Sequence, residues 1–371
     1  MVAASDGLGP LDPAAAAPAT GTDTGSGNIE SVVRRLMSLP VRTADALALV
    51  NGLFGDALAA QGSSLAVPLT FRTASGEELP LDRGGLREAL PDARAGLCVS
   101  VHGLMSTESV WRFGPGGVAY GELLARERGI TPVYVRYNTG RHISTNGRDL
   151  AAKLQRLVRA WPVRVREIDL IGHSMGGLVI RSACHYGRHA ATVADRVRRR
   201  GPWPGRVRRV VLLGVPNRGA NLEAIANLTS AALWSVPTPA TRLIGAGLDR
   251  RSEGIKDLRW GAVLDEDWVE RDPGATGRPE LHRVKVPRQA RFLAVAGSLV
   301  DQADADRPPT VNRLLGDALV TAPSAHGHFG HDGPALFRDV AVRVCPKINH
   351  IALAGRPEVY DEIDRWWDAA R

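Results

Sequence analysis

Cysteine is scarce in this chain: Cys98, Cys184 and Cys345 are the only three among 371 residues, and each lies in an apolar segment that reads as strand or helix. So odd and scattered a set excludes a disulfide framework and fits reduced core thiols in a cytosolic protein. No apolar run approaches the roughly 18–20 residues that a membrane-spanning helix needs. The first residues lack the basic and apolar regions of a secretory signal, so a cytoplasmic location is expected. Lysine is nearly missing as well. Only Lys153, Lys256, Lys285 and Lys347 occur among the 47 basic residues, a skew toward arginine that, with the abundance of Ala and Gly, points to GC-rich coding rather than to selection for phosphate contacts. The densest basic run, Arg196–Arg209, reads as a solvated connection between a helix and a strand. No nucleic-acid partner is expected despite the net charge of +8.

Metal frameworks are missing too. His326-Gly327-His328 with His331 has spacing that could serve a metal, but glycines surround it and no cysteine or carboxylate set accompanies it. Asp301, Asp304 and Asp306 lack the glycine-turn loop of a calcium site. The expectation is no metal and no cofactor.

Residues 1–28 carry almost no large apolar side chain and read as a disordered tail. Residues 29–95 read as an N-terminal helical and extended segment packed on the core. It holds two helical stretches parted at Pro40, a strand at Leu65–Phe71 and a polar, turn-rich run at Leu79–Ala93. From Gly96 the pattern becomes strand–helix alternation: strands at Leu97–Val101, Pro132–Tyr137, Ile168–Ile171, Val207–Leu213, Arg291–Ala296 and Val340–Val344. Helices are expected at Tyr120–Arg128, Asp149–Trp161, Leu178–Tyr186 and Glu358–Ala369. Such alternation implies an α/β domain over 96–371 with a mostly parallel central sheet, whose functional residues collect at the carboxyl ends of the strands. About 70 residues at 217–288 interrupt the rhythm and read as a helical cap insertion.

The most informative stretch is Gly172-His173-Ser174-Met175-Gly176-Gly177, between an apolar strand and a helix. A serine between glycines at such a corner can hold a strained backbone and present its hydroxyl as a nucleophile. By chance the five-residue pattern would arise on the order of 0.2 times in a chain this rich in glycine, so the flanking strand and helix give it its weight. A nucleophilic serine needs a base, an orienting acid and an oxyanion hole. His350, just past the last strand, is the expected base. The acid is either Asp317, at a glycine turn, or Asp301.

Val101-His102-Gly103-Leu104, the serine heptapeptide, Gly214-Val215-Pro216-Asn217-Arg218-Gly219, Gly316-Asp317-Ala318-Leu319-Val320 and Asn349-His350 occur in this order. Together they resemble the α/β-hydrolase superfamily, in particular its bacterial lipase and PGAP1-like esterase group. The likeness covers residues ~96–370. It implies the α/β-hydrolase fold with Ser174 as nucleophile, Asp317 as acid and His350 as base. It also implies an oxyanion hole from the backbone N–H groups of Leu104 and Met175. His102, Gly103 and His173 are the expected substrate-lining residues. The implied activity is carboxylic ester hydrolysis on a small-molecule ester or lipid, with no more than transient contact with a membrane surface. Acyl transfer, thioester cleavage or a non-catalytic binding role are the alternatives on the same fold. Lipases often carry histidine where this chain has Asn217, so no role is assigned to that residue.

Overall fold

The structure, a computed structural model, describes residues 33, 37–38, 42–114, 116–189, 201–220, 252–269, 280–299, 337 and 340–368. Among them seven strands form one sheet: β1 (Thr70–Arg72), β2 (Gly96–Val101), β3 (Ile130–Arg136), β4 (Glu167–His173), β5 (Val207–Leu213), β6 (Arg291–Ser298) and β7 (Val340–Pro346). The helices are α1 (Thr43–Ala60), α2 (Arg83–Ala89), α3 (Tyr120–Arg128), α4 (Ile143–Ala160), α5 (Met175–Gly187), α6 (Glu253–Trp260), α7 (Glu266–Val269) and α8 (Pro357–Asp368). Strand order is β1-β3-β2-β4-β5-β6-β7; β1 runs antiparallel to β3 and every other pair is parallel.

Strand β2 is buried along its whole length, as a parallel strand covered on both faces must be. One face packs on α1, α4 and α5 through Val50, Leu53, Leu154, Leu157, Leu178 and Val179. The other packs on α3 and α8 through Tyr120, Leu124, Val359, Ile363, Trp366 and Trp367. The elements foreseen from Gly96 onward are all present, with ends shifted by a few residues. Unforeseen is α2 inside the turn-rich run, opened by Asp82, whose side chain accepts the N–H of Gly85. Helix α4 also starts earlier than its apolar face suggests.

Helix α1 is held close to the loops at the carboxyl edge of the sheet. A Cβ added at Gly52 would lie 2.2 Å from Met105 Cγ. Asn138 Nδ2 donates to Gly55 O at 2.8 Å, and Thr107 Oγ1 donates to Asp45 Oδ1 at 3.0 Å. The expected tail at 1–28, and residues 221–251 and 270–279 of the expected insertion, lie outside the described residues. No helix among the described residues is long and apolar enough to cross a membrane.

Residues 252–269 dock on α1 and α4 through polar contacts. Ser252 Oγ donates to Gly52 O at 2.7 Å, and Trp268 Nε1 donates to Ser144 Oγ at 2.9 Å. The centre of the contact is His142, whose ring stacks on Trp268 at 3.7 Å while Nδ1 lies 3.1 Å from Asp257 Oδ2. Burial opposes charge on His142, but the hydrogen bond to Asp257 and the charges of Asp257, Glu253 and Asp265 outweigh it and raise its pKa above 6.5. A histidine raised in the fold adds stability that is complete below its unfolded pKa and is lost as pH rises through the folded value. The melting temperature of the wild type should therefore exceed that of His142→Gln most at about pH 6 and least at about pH 9. A gap that stays constant across that range would refute the charged clasp.

Candidate active site

Strand β4 ends at His173, helix α5 begins at Met175, and Ser174 makes the corner with φ 52° and ψ −125°. Three non-glycine residues among those described have positive φ: Met105 after β2, Ser174 after β4 and Lys347 after β7. Each costs on the order of 1–3 kcal/mol, and all three sit at the same edge of the sheet. Strain concentrated on one edge is the signature of a site rather than of an accidental loop.

The glycines around Ser174 are required by contact with backbone. A Cβ at Gly176 would fall 2.1 Å from Val101 O and 2.5 Å from His102 O, so α5 starts directly on the end of β2. A Cβ at Gly172 would lie 2.6 Å from Gly177 Cα. The loop after β2 closes over the serine, since a Cβ at Gly103 would be 3.0 Å from Ser174 Cβ. Ser174 N–H donates to Leu213 O at 2.9 Å, tying the corner to the neighbouring strand. Met175 opens α5, where the first N–H groups have no partner inside the helix and the dipole is positive. Leu104 is buried in the loop beside it, and Thr139 Oγ1 holds the N–H of Met105 at 3.2 Å.

Three buried histidines surround the corner. His102 Nδ1 donates to Gly103 O at 2.9 Å, its ring stacks on Tyr137 at 4.7 Å, and burial lowers its pKa to about 4. It is neutral at physiological pH. His350 is 1% exposed and follows β7 in a loop held by the Ile348 N–H bond to Ser298 O. His173 Nε2 donates to the backbone oxygen of His350 at 2.9 Å, and the two rings lie 5.0 Å apart. The residue beside the serine thus ties down the loop that carries His350. This link is not legible in the sequence, because 177 residues separate the two histidines and neither periodicity nor motif records it.

Asn217 is fully buried and accepts from Arg181 Nη1 at 3.1 Å, joining α5 to the loop after β5. Arg141, in the loop after β3, is paired with Asp149 at 2.8 Å. Asp317, Asp301, Asp304, Asp306, His326, His328 and His331 lie outside the described residues. No metal-binding cluster occurs among the described residues.

Residues 92–200 match the family described as "Putative serine esterase (DUF676)". That span carries the loop after β2, the serine corner and α5, but neither Asp317 nor His350. No curated protein matches the chain. Among solved structures, the chain is similar to the mature form of the Bacillus licheniformis lipase BlEst2, with 17% identity over 74% of this chain and 91% of that one, at a TM-score of 0.44. It is also similar to the carboxylesterase CesB (YbfK) of Bacillus subtilis, with 13% identity over 92% of this chain and 97% of that one, at a TM-score of 0.40. With overlays this loose, the fold assignment rests on the chain's own strand order and serine corner. By these features the chain has the α/β-hydrolase fold, with residues 92–200 matching a serine esterase family.

Proposed function

We propose that the protein is a serine hydrolase that cleaves carboxylic esters through an acyl-enzyme. The observation that carries this reading is Ser174 held at φ 52° on the turn between β4 and α5, under the loop after β2 and beside the loop that bears His350. In the proposed mechanism His350 takes the Ser174 proton as Oγ attacks the ester carbonyl, and the N–H groups of Leu104 and Met175 hold the oxyanion. The alkoxide leaves with the proton from His350. Water then adds to the acyl-enzyme by the same route and releases the acid. Asp317 is the proposed partner of His350, fixing the tautomer that leaves Nε2 as acceptor. Residues 217–288 are proposed as a cap whose apolar side chains receive the acyl group, which favours a hydrophobic or lipid ester.

Labelling with a fluorophosphonate probe tests the assignment. An adduct on Ser174 that esters compete away is the expected result; no adduct in folded protein leaves a binding module instead. A series of esters and thioesters of rising chain length then separates esterase from thioesterase.

His173 is proposed as a positioning residue acting through His350. His173→Leu removes one buried hydrogen bond, worth about 1–1.5 kcal/mol, so kcat/KM should fall roughly tenfold. The loss should lie in kcat, with KM little changed, and His173→Asn should recover part of it. An unchanged kcat in His173→Leu would remove the role.

A further inference from the structure

The amino edge of the sheet, opposite Ser174, carries a cavity of about 1100 Å³ between the segment leading into β6, the start of β7 and the ends of α5 and α8. Its walls hold Arg188, Arg283, Lys285, Arg288 and Arg291 and, among the described residues, no aspartate or glutamate. All five cations are exposed, and among the described residues none lies within ion-pairing distance of a carboxylate. Some arginines elsewhere are matched, as Arg72 with Glu78, Arg128 with Asp364 and Asp368, and Arg343 and Arg365 with Glu362, while others, such as Arg87, Arg126, Arg156 and Arg208, stand singly on the surface. A coding bias toward arginine does not by itself gather five unmatched cations around one concavity.

The local backbone explains how they are gathered. Val284 and Val286 pack against the core, so in an extended segment Arg283 and Lys285 take the other side. Gln289 Nε2 donates to Pro204 O at 2.7 Å and fixes the segment to the 3-10 turn before β5. Converging like charges repel one another, and a multivalent anion relieves that repulsion while guanidinium groups meet its oxygens in paired geometry. The wall is poor in features for other anionic partners. Trp366 is 3% exposed and lies beneath the Arg291 guanidinium, so it offers no free face for stacking a base. A concave wall also fits a discrete ligand better than a flat membrane.

We propose that this groove binds an anion carrying two or more phosphate groups, either free in solution or borne on a lipid headgroup. Calorimetry with inorganic tripolyphosphate tests it at about 50 mM salt, where screening is weak. One-to-one binding is expected, weakened roughly 30-fold or more in R283E/K285E/R288E, since three charge-assisted contacts are lost and three like charges face the anion. Unchanged unfolding and unchanged hydrolysis of a short soluble ester show that this variant is intact. Absence of saturable binding, or equal binding by the variant, overturns the proposal. Sedimentation with phosphatidylcholine vesicles bearing an inositol bisphosphate lipid distinguishes the sources: binding to these but not to phosphatidylserine vesicles marks a headgroup ligand. Tripolyphosphate binding with no vesicle binding marks a soluble one. Equal binding to phosphatidylserine vesicles, or tighter binding to a short DNA duplex than to tripolyphosphate, replaces the site with a general electrostatic surface and overturns it.

Discussion

Ser174→Ala is expected to lower kcat/KM for a p-nitrophenyl ester by roughly two to six decades while leaving the unfolding temperature the same or higher. In the proposed mechanism Oγ is the atom that forms the acyl-enzyme, and no neighbouring hydroxyl sits at the start of α5 to replace it. What would survive is the pull of the proposed oxyanion donors on a carbonyl attacked by water, which accounts for the width of the range. Stability should move in the opposite direction, if at all. Ser174 and alanine share the same unfavourable φ of 52°, so the strain stays, but the hydroxyl no longer has to be buried at 3% exposure. Measuring both quantities on one preparation separates catalytic loss from misfolding. Hydrolysis at the wild-type rate would end the assignment of Ser174.

The second large effect concerns architecture. Gly176→Ala should destabilise the protein by on the order of 4 kcal/mol, a drop of about 8 °C in melting temperature, and Gly176→Val should prevent folding. Room for a Cβ would have to come from Val101 O at 2.1 Å and His102 O at 2.5 Å. Both are main-chain atoms at the end of a central strand, and no rotamer change moves them. Gly201→Ala supplies the control, since nothing lies within 4 Å of its added Cβ and its φ is not positive. That variant should change stability by no more than about 0.5 kcal/mol. Equal melting temperatures for Gly176→Ala and wild type would mean that the helix does not begin on the strand as described.

Most of the sheet could be read from the chain because parallel strands buried on both faces appear as short, uninterrupted apolar runs, as at Val207–Leu213. Helix α2 escaped because Leu86 is its one buried residue, too little for a periodicity. The first turns of α4 escaped because Ser144, Thr145, Asn146 and Gly147 have the composition of a loop. Their burial and packing explain the helix: a Cβ at Gly147 would lie 2.1 Å from Ser182 Oγ, so the glycine is where α4 meets α5. At the site, Ser174 and its glycines were legible from local spacing, since the strained turn is a local object. The bond from His173 to the His350 backbone was not, because it joins two loops brought together only by the order of the sheet.

Helix α1 changes how this protein can be cut. Glycines at 52 and 55 bring its backbone against Met105 and Asn138, in the loops after β2 and β3 at the carboxyl edge of the sheet. A fragment beginning at Gly96 would retain every residue of the proposed chemistry yet leave those loops without their support, with Met105 and the amide of Asn138 facing water. The smallest unit worth expressing, grafting or permuting therefore starts before Thr43.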